Sequence, residues 1–251
     1  MRGLLAVWRI LCSVVHLLHG VLICAFVFPF VGPQQQARRV GWWSARMLRM
    51  LGVSLRVDGM PRGGATLVVA NHISWLDILA INAACPVRFV SKADVRHWPL
   101  IGWLVAAAGT LFIERERKRD ALRVVHQVAQ ALKQGHTVAL FPEGTTTEGH
   151  ALLPFHANLF QAAISTGTPV QPVVLRFSDA DGPISAAAAY VGDMNLLESL
   201  WAIVTARQLS ARVTWLLAEG TEHADRRALA EHMRRQIDGA LNVKEWRSAA
   251  G

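Results

Sequence analysis

Charge is scarce in this chain, and it is unevenly divided. Only 18% of the 251 residues are charged, with 26 Lys and Arg against 18 Asp and Glu, for a formal charge of +8. With 52% hydrophobic residues the chain is oily for a soluble α/β protein, yet too polar for a multi-span transporter. Tyrosine is nearly absent, one residue against nine Trp, and Trp favours the membrane interface. Cys12, Cys24 and Cys85 are odd in number and lack metal-ligand spacing, which excludes a disulfide scaffold or a cysteine-built metal site and leaves small buried hydrophobes in a reducing compartment. There is no internal repeat, no low-complexity linker and no nucleic-acid-binding motif. The basic excess therefore points to an anionic membrane surface or a phosphorylated substrate, and no nucleic-acid partner is expected.

Between Ile10 and Gly32 there is no charged residue. As a helix, these residues would reach about 34 Å, long enough to span a bilayer. His16 and His19 interrupt the run, and Pro29 and Pro33 close it. It is long for the core of a signal peptide, and no clear small-x-small site follows. Arginines stand on both sides, Arg2 and Arg9 before and Arg38, Arg39, Arg46 and Arg49 after, so charge assigns no clean topology. At 100° per residue the last four fall within an arc of about 100°. Residues 38–51 read as a helix lying in the head-group plane, with the run dipping into one leaflet; the alternative is an ordinary surface helix of the domain. The expected division is a membrane anchor over residues 1–52 and a catalytic domain over 53–251.

Beyond residue 52, short β-branched runs alternate with helix-like stretches. Strands are expected at 54–57, 66–70, 87–90, 110–113, 137–141, 170–177 and 212–217. Helices are expected at 76–84, 100–108, 120–133, 158–165, 195–209 and 224–241, with Gly135 as a stop signal. The fold class is α/β: a central, mostly parallel mixed sheet flanked by helices, behind an N-terminal membrane-anchoring helical segment.

Four segments at strand ends carry candidate chemistry. In Asn71-His72-Ile73-Ser74-Trp75-Leu76-Asp77, the histidine follows an apolar strand. His72 and Asp77 would not share a face of one helix, so they meet only if His72 lies in the turn before the helix that carries Asp77. The carboxylate then orients the imidazole and stabilises its protonated form. The segment Gly109–Arg115 delivers an arginine to a strand end, where it can fork onto phosphate oxygens. Phe141-Pro142-Glu143-Gly144-Thr145-Thr146-Thr147 follows another apolar strand and suits a polar pocket. Val170–Leu175 is a buried strand containing Pro172.

Together and in this order, the four segments resemble the lysophosphatidic acid (1-acylglycerol-3-phosphate) acyltransferase family, over about residues 65–176. The resemblance implies His72 as the base that deprotonates the acceptor hydroxyl and Asp77 as its orienting partner. It implies substrate binding at Lys92, Gly109, Arg115, Glu143, Gly144, Thr145 and Thr146, with Pro172 linked to donor binding or packing. It implies no metal and no cofactor; acyl-CoA or acyl carrier protein is the donor, and a membrane lipid is the acceptor. The family pattern usually places an arginine after Glu-Gly-Thr, where this chain has Thr146.

The expected function is transfer of a fatty acyl group to lysophosphatidic acid, giving phosphatidic acid, at the cytoplasmic face of the inner or plasma membrane. Acylation of another lysolipid, such as lyso-ornithine lipid or a lysophospholipid, is the alternative. A hydrolase is weakened by the lack of a Gly-x-Ser-x-Gly nucleophile elbow. A non-catalytic lipid-binding protein would have no use for His72, Asp77 and Glu143 together.

Overall fold

The computed structural model describes residues 2–113, 118–222 and 224–242. Its strands are β1 (Ser54–Asp58), β2 (Thr66–Ala70), β3 (Arg88–Lys92), β4 (Leu111–Ile113), β5 (Thr137–Leu140), β6 (Val170–Ser178) and β7 (Ser210–Trp215). They form one sheet in the order β1-β7-β6-β2-β5-β3-β4. Every neighbouring pair is parallel except β6 and β7. The helices are α1 (Arg2–Phe26), α2 (Pro33–Leu51), α3 (Leu76–Ala84), α4 (Ile101–Ala107), α5 (Lys118–Lys133), α6 (Gln161–Thr166), α7 (Leu196–Thr205) and α8 (Arg226–Asn242).

Strands buried on both sides read as unbroken apolar runs, and β2 shows why. Successive side chains of a strand point to opposite faces. Val68 and Ala70 join a core with residues of α2, α3 and α7, whereas Leu67 and Val69 join a second core with α5, α6 and α8. Strand β5 alternates in the same way, Ala139 facing the first core and Val138 and Leu140 the second. Local signals set the helix ends. Asn195 accepts from the Glu198 backbone while the Glu198 carboxylate accepts from the Asn195 backbone, a reciprocal cap that starts α7. Gly135, at φ +87°, ends α5 with paired bonds from Gly135 N to Leu132 O and from His136 N to Ala131 O.

Three expected helices differ in extent. The stretch 158–165 is a tight 3₁₀ turn, Ala157–Phe160, that runs into α6. Helix α7 stops at Thr205, because the chain turns to enter β7 two residues earlier than expected. The amphipathic helix does not begin at residue 38: α2 starts at Pro33, whose fixed φ and missing N–H suit a first helical position.

The N-terminal helices are part of the packing. Met47, Leu48 and Leu51 of α2 are buried in the same core as Leu76 and Ala80 of α3, and Ala6 of α1 joins them. Helix α2 is therefore a surface helix of the domain along its C-terminal half, while Arg38, Arg39, Arg46 and Arg49 are exposed. Helix α1 is tied to it by reciprocal bonds, Trp43 Nε1 to His16 O and His16 Nε2 to Trp43 O, both 3.0 Å. Gly20 permits this contact, since a Cβ there would lie 2.6 Å from the Trp43 indole nitrogen. Arg9 reaches the carbonyl of Val204 on α7 at 2.7 Å. The outer side of α1 still exposes Leu4, Trp8, Leu11, Leu18, Leu22 and Phe26. The stretch Gly3–Phe30 is long and apolar enough to cross a membrane.

This packing makes Leu48, within the expected anchor, a core residue. Leu48→Ala should lower the unfolding free energy by about 2–5 kcal/mol, measured by denaturant titration in mild detergent. An unchanged midpoint would mean that α2 is docked without contributing to the core.

Candidate active site

Strands β2 and β5 are parallel neighbours, but the chain leaves them in opposite directions. After β2 it enters α3 on one face of the sheet; after β5 it reaches α6 on the other. Such a divergence opens a crevice at the carboxyl ends of the two strands. His72 stands at one lip and Glu143 at the other.

The departure from β2 is fixed by Asn71, whose buried amide replaces a strand pairing. Its Nδ2 donates to Leu175 O at 2.9 Å, and its Oδ1 accepts from Leu175 N at 2.8 Å. The next three residues form a turn in which each backbone polar group has a partner. His72 N donates to Glu143 Oε1 at 2.8 Å, and His72 O accepts from Thr147 N at 2.8 Å. Ile73 N and Ser74 N both donate to Asp77 Oδ2, at 2.7 and 2.9 Å. Ile73 O accepts from Tyr190 N, and Ser74 O from Asp77 N.

Asp77 lies in the first turn of α3, where the helix dipole favours a negative charge. It is fully buried, and its Oδ2 also accepts from His72 Nδ1 at 2.7 Å. His72 therefore does lie in the turn, the one position from which it can meet Asp77. Its ring stacks on Phe141, with centroids 3.9 Å apart and planes 7° from parallel. One nitrogen is held by a carboxylate and one face by a phenyl ring. The far nitrogen, Nε2, meets no hydrogen-bonding partner among the described residues, and the side chain keeps 20% of its surface open.

Glu143 is directed inward. Only 4% exposed, it spends both carboxylate oxygens on backbone donors: Oε1 on His72 N and Oε2 on Leu153 N, the latter at 2.9 Å. Burial pushes its carboxyl above the ordinary value of 4.5; the two backbone bonds and the nearby His72 act the other way and do not cancel it. Gly144, at φ +76°, occupies a backbone region that side chains disfavour. Thr145 is exposed. The Thr146 hydroxyl donates to Tyr190 O, so it ties the loop after β5 to the segment that also holds Ile73.

Of the other sequence candidates, Lys92 and Pro172 lie in the sheet. Lys92 ends β3, pairing with Ile113 at the end of β4; its side chain is outside the described atoms. Arg115 lies outside the described residues. Gly109, at φ +81°, turns the chain from α4 toward β4. Pro172 sits inside β6 beside Val69, away from the strand ends. Sequence reasoning missed Phe141 as a ring partner, Asn71 as the strap to β6 and Tyr190 as a tie; the alanine run before Tyr190 was the only signal for that segment. No group of three His, Cys, Asp or Glu that could hold a metal ion occurs among the described residues.

A buried carboxylate, an oriented imidazole and an open Nε2 just past the end of a central strand form an acid–base centre suited to group transfer onto a hydroxyl. Comparison with known proteins gives the group transferred. Residues 54–176 match the family model described as Acyltransferase. The lyso-ornithine lipid O-acyltransferase of Pseudomonas aeruginosa is 38% identical over 84% of this chain and 81% of its own. The 1-acyl-sn-glycerol-3-phosphate acyltransferase of Neisseria meningitidis is also 38% identical, over 82% and 81%. In fold, the chain matches the crystal structure of the 1-acyl-sn-glycerophosphate acyltransferase of Thermotoga maritima. The TM-score is 0.75 at 19% identity, covering 99% of this chain and 98% of that one. The chain belongs to the acyltransferase family, and it is an O-acyltransferase.

The buried Glu143 carboxyl gives a stability test. A folded-state pKa above the unfolded value contributes stability below the unfolded pKa, and that contribution is lost as pH rises through the folded one. Wild type should therefore lose stability relative to Glu143→Gln as pH rises from about 4 through the raised value. Glu143→Gln also leaves one backbone donor unpaired, an offset of about 1–3 kcal/mol that does not vary with pH. Denaturation midpoints across this range measure both effects. A constant difference would mean that Glu143 is ionised as readily as in the unfolded chain.

Proposed function

We propose that this acyltransferase moves a fatty acyl group from a thioester donor, acyl-CoA or acyl carrier protein, to the free hydroxyl of lysophosphatidic acid, yielding phosphatidic acid. The observation that carries the mechanism is the 2.7 Å bond between His72 Nδ1 and Asp77 Oδ2, which leaves Nε2 as the open base. Nε2 takes the acceptor's hydroxyl proton as its oxygen attacks the thioester carbonyl. The tetrahedral adduct collapses, the C–S bond breaks, and the imidazolium returns its proton to the leaving thiolate. No enzyme-bound acyl intermediate is needed, because the acceptor oxygen is itself the nucleophile. Asp77 holds the tautomer and stabilises the cation. Glu143 is a positioning residue in this scheme, since its oxygens are engaged by His72 N and Leu153 N.

A second acceptor has specific support. The position that the family pattern fills with arginine is Thr146, a neutral side chain whose hydroxyl is engaged by the Tyr190 carbonyl. An acceptor with a less anionic head, such as lyso-ornithine lipid, would require less cationic pairing than a phosphomonoester. Lys92, at the end of β3, and Arg115 are the cations proposed for the phosphate. Purified enzyme, one labelled acyl thioester and both acceptors, with products resolved by mass spectrometry, decides between them.

His72→Ala should lower kcat by roughly 10²–10⁴-fold with the fold intact. Asp77→Asn should lose a large part of that, with KM less affected. Near-normal turnover by His72→Ala would end this mechanism.

The anchor assigned to residues 1–52 is proposed to place the 53–251 region at the cytoplasmic membrane surface, where acyl thioesters are made. Deleting it would strip Met47, Leu48 and Leu51 from the core, so charge substitution is the better test. Leu11→Glu with Leu18→Glu, both on the exposed side of α1, should move the protein from the membrane to the soluble fraction, each charge opposing insertion by about 2–3 kcal/mol. Retention in the membrane fraction would place the attachment elsewhere.

A further inference from the structure

A cleft of about 370 Å³ lies between α1 and α2, lined by His19, Ile23, Val27, Arg38, Arg39 and Trp42. No residue of it belongs to the His72 centre. One wall is a single helix face: His19, Ile23 and Val27 follow at four-residue intervals, and Val27 N still bonds to Ile23 O at 2.9 Å. Ile23 and Val27 make an apolar track along it. The opposite wall carries Trp42, whose ring stands edge-on to His19 with centroids 5.8 Å apart, and the two adjacent arginines.

Among the described residues these arginines pair with no carboxylate. The first acidic residue in the chain is Asp58, so α1 and α2 contain no carboxylate. Neither Arg38 nor Arg39 makes a side-chain hydrogen bond or an ion pair among the described residues. The cleft is thus cationic at one end and apolar along its length, at the foot of a helix whose outer side is apolar. A phosphate bound by two guanidinium forks, with an acyl chain laid on Ile23 and Val27 and its glycerol against Trp42, satisfies all of these features at once.

We propose that the α1–α2 cleft is a binding site for one anionic phospholipid, separate from the lipid that undergoes acylation. It rests on the membrane attachment proposed above and is independent of the catalytic reading.

The experiment uses the full chain in a neutral detergent, with phosphatidylglycerol or phosphatidylcholine added and bound lipid counted by native mass spectrometry. Wild type should retain one phosphatidylglycerol in preference to phosphatidylcholine. The double substitution Arg38→Gln with Arg39→Gln should weaken retention roughly tenfold or more, as expected for loss of charge-assisted contacts. Arg46→Gln with Arg49→Gln, which removes the same charge from the same helix outside the cleft, should leave it unchanged. Thermal midpoints equal to wild type establish that both variants are folded. Equal weakening by the two pairs would reduce the effect to diffuse charge and overturn the site. So would equal retention of phosphatidylcholine, or full displacement of phosphatidylglycerol by millimolar inorganic phosphate, which would mark a site for the free ion.

Discussion

One carboxylate oxygen organises this molecule. Oδ2 of Asp77 takes three hydrogen bonds at once, from His72 Nδ1, Ile73 N and Ser74 N. A buried carboxylate is costly unless it is engaged; here three donors on Oδ2 and the start of α3 offset that cost, while Oδ1 is buried without a hydrogen-bond partner among the described residues. The same bonds define the turn that puts His72 before the helix. Removing the carboxylate would therefore orphan two backbone donors and release the imidazole together. The structural role and the proposed chemical role therefore rest on the same oxygen.

The rest of the turn is held from three directions, all distant in sequence. The loop after β5 supplies Glu143 to His72 N and Thr147 N to His72 O. The segment at Tyr190 supplies the donor to Ile73 O. Strand β6 receives Asn71. These contacts exist because β2 lies between β5 and β6 in the sheet, and because the chains leaving β2 and β5 diverge to opposite faces. An irregular turn can be buried only if its peptide groups find partners, and this topology brings the partners to it.

How much of this was legible follows from the range of each interaction. The sheet, its order of elements and the strand-to-helix turn at His72 depend on local pattern, and their reading needed little correction. The pairing of His72 with Asp77 was also local: five residues and one geometric condition decide it. Glu143 was placed correctly at a strand end, but nothing in Phe-Pro-Glu-Gly-Thr tells which way its carboxylate turns. Its direction is set by His72 N, 71 residues earlier. Phe141 reads as the last residue of an apolar strand; only the adjacency of β2 and β5 makes it a platform for the imidazole. Helix α2 is legible on one side alone. Its arginine arc is genuine, but the arc alone could not show that Met47, Leu48 and Leu51 on the other side pack into the core.

That last point changes what the N-terminal helices can do. A flexible tether would only raise the local concentration of the enzyme near a surface, leaving the centre free to face any direction. Here α2 shares a core with α3, and α3 begins at the carboxylate that holds His72. Helix α1 is in turn fixed to α2 through the His16 and Trp43 bonds and to α7 through Arg9. Whatever surface meets the apolar side of α1 thus stands in a set orientation to Nε2 of His72. Under the proposed function, with α1 at the membrane and Nε2 as the base, that rigidity would convert surface binding into alignment of an acceptor hydroxyl near the head-group plane, a contribution to rate that a tether of equal affinity cannot make.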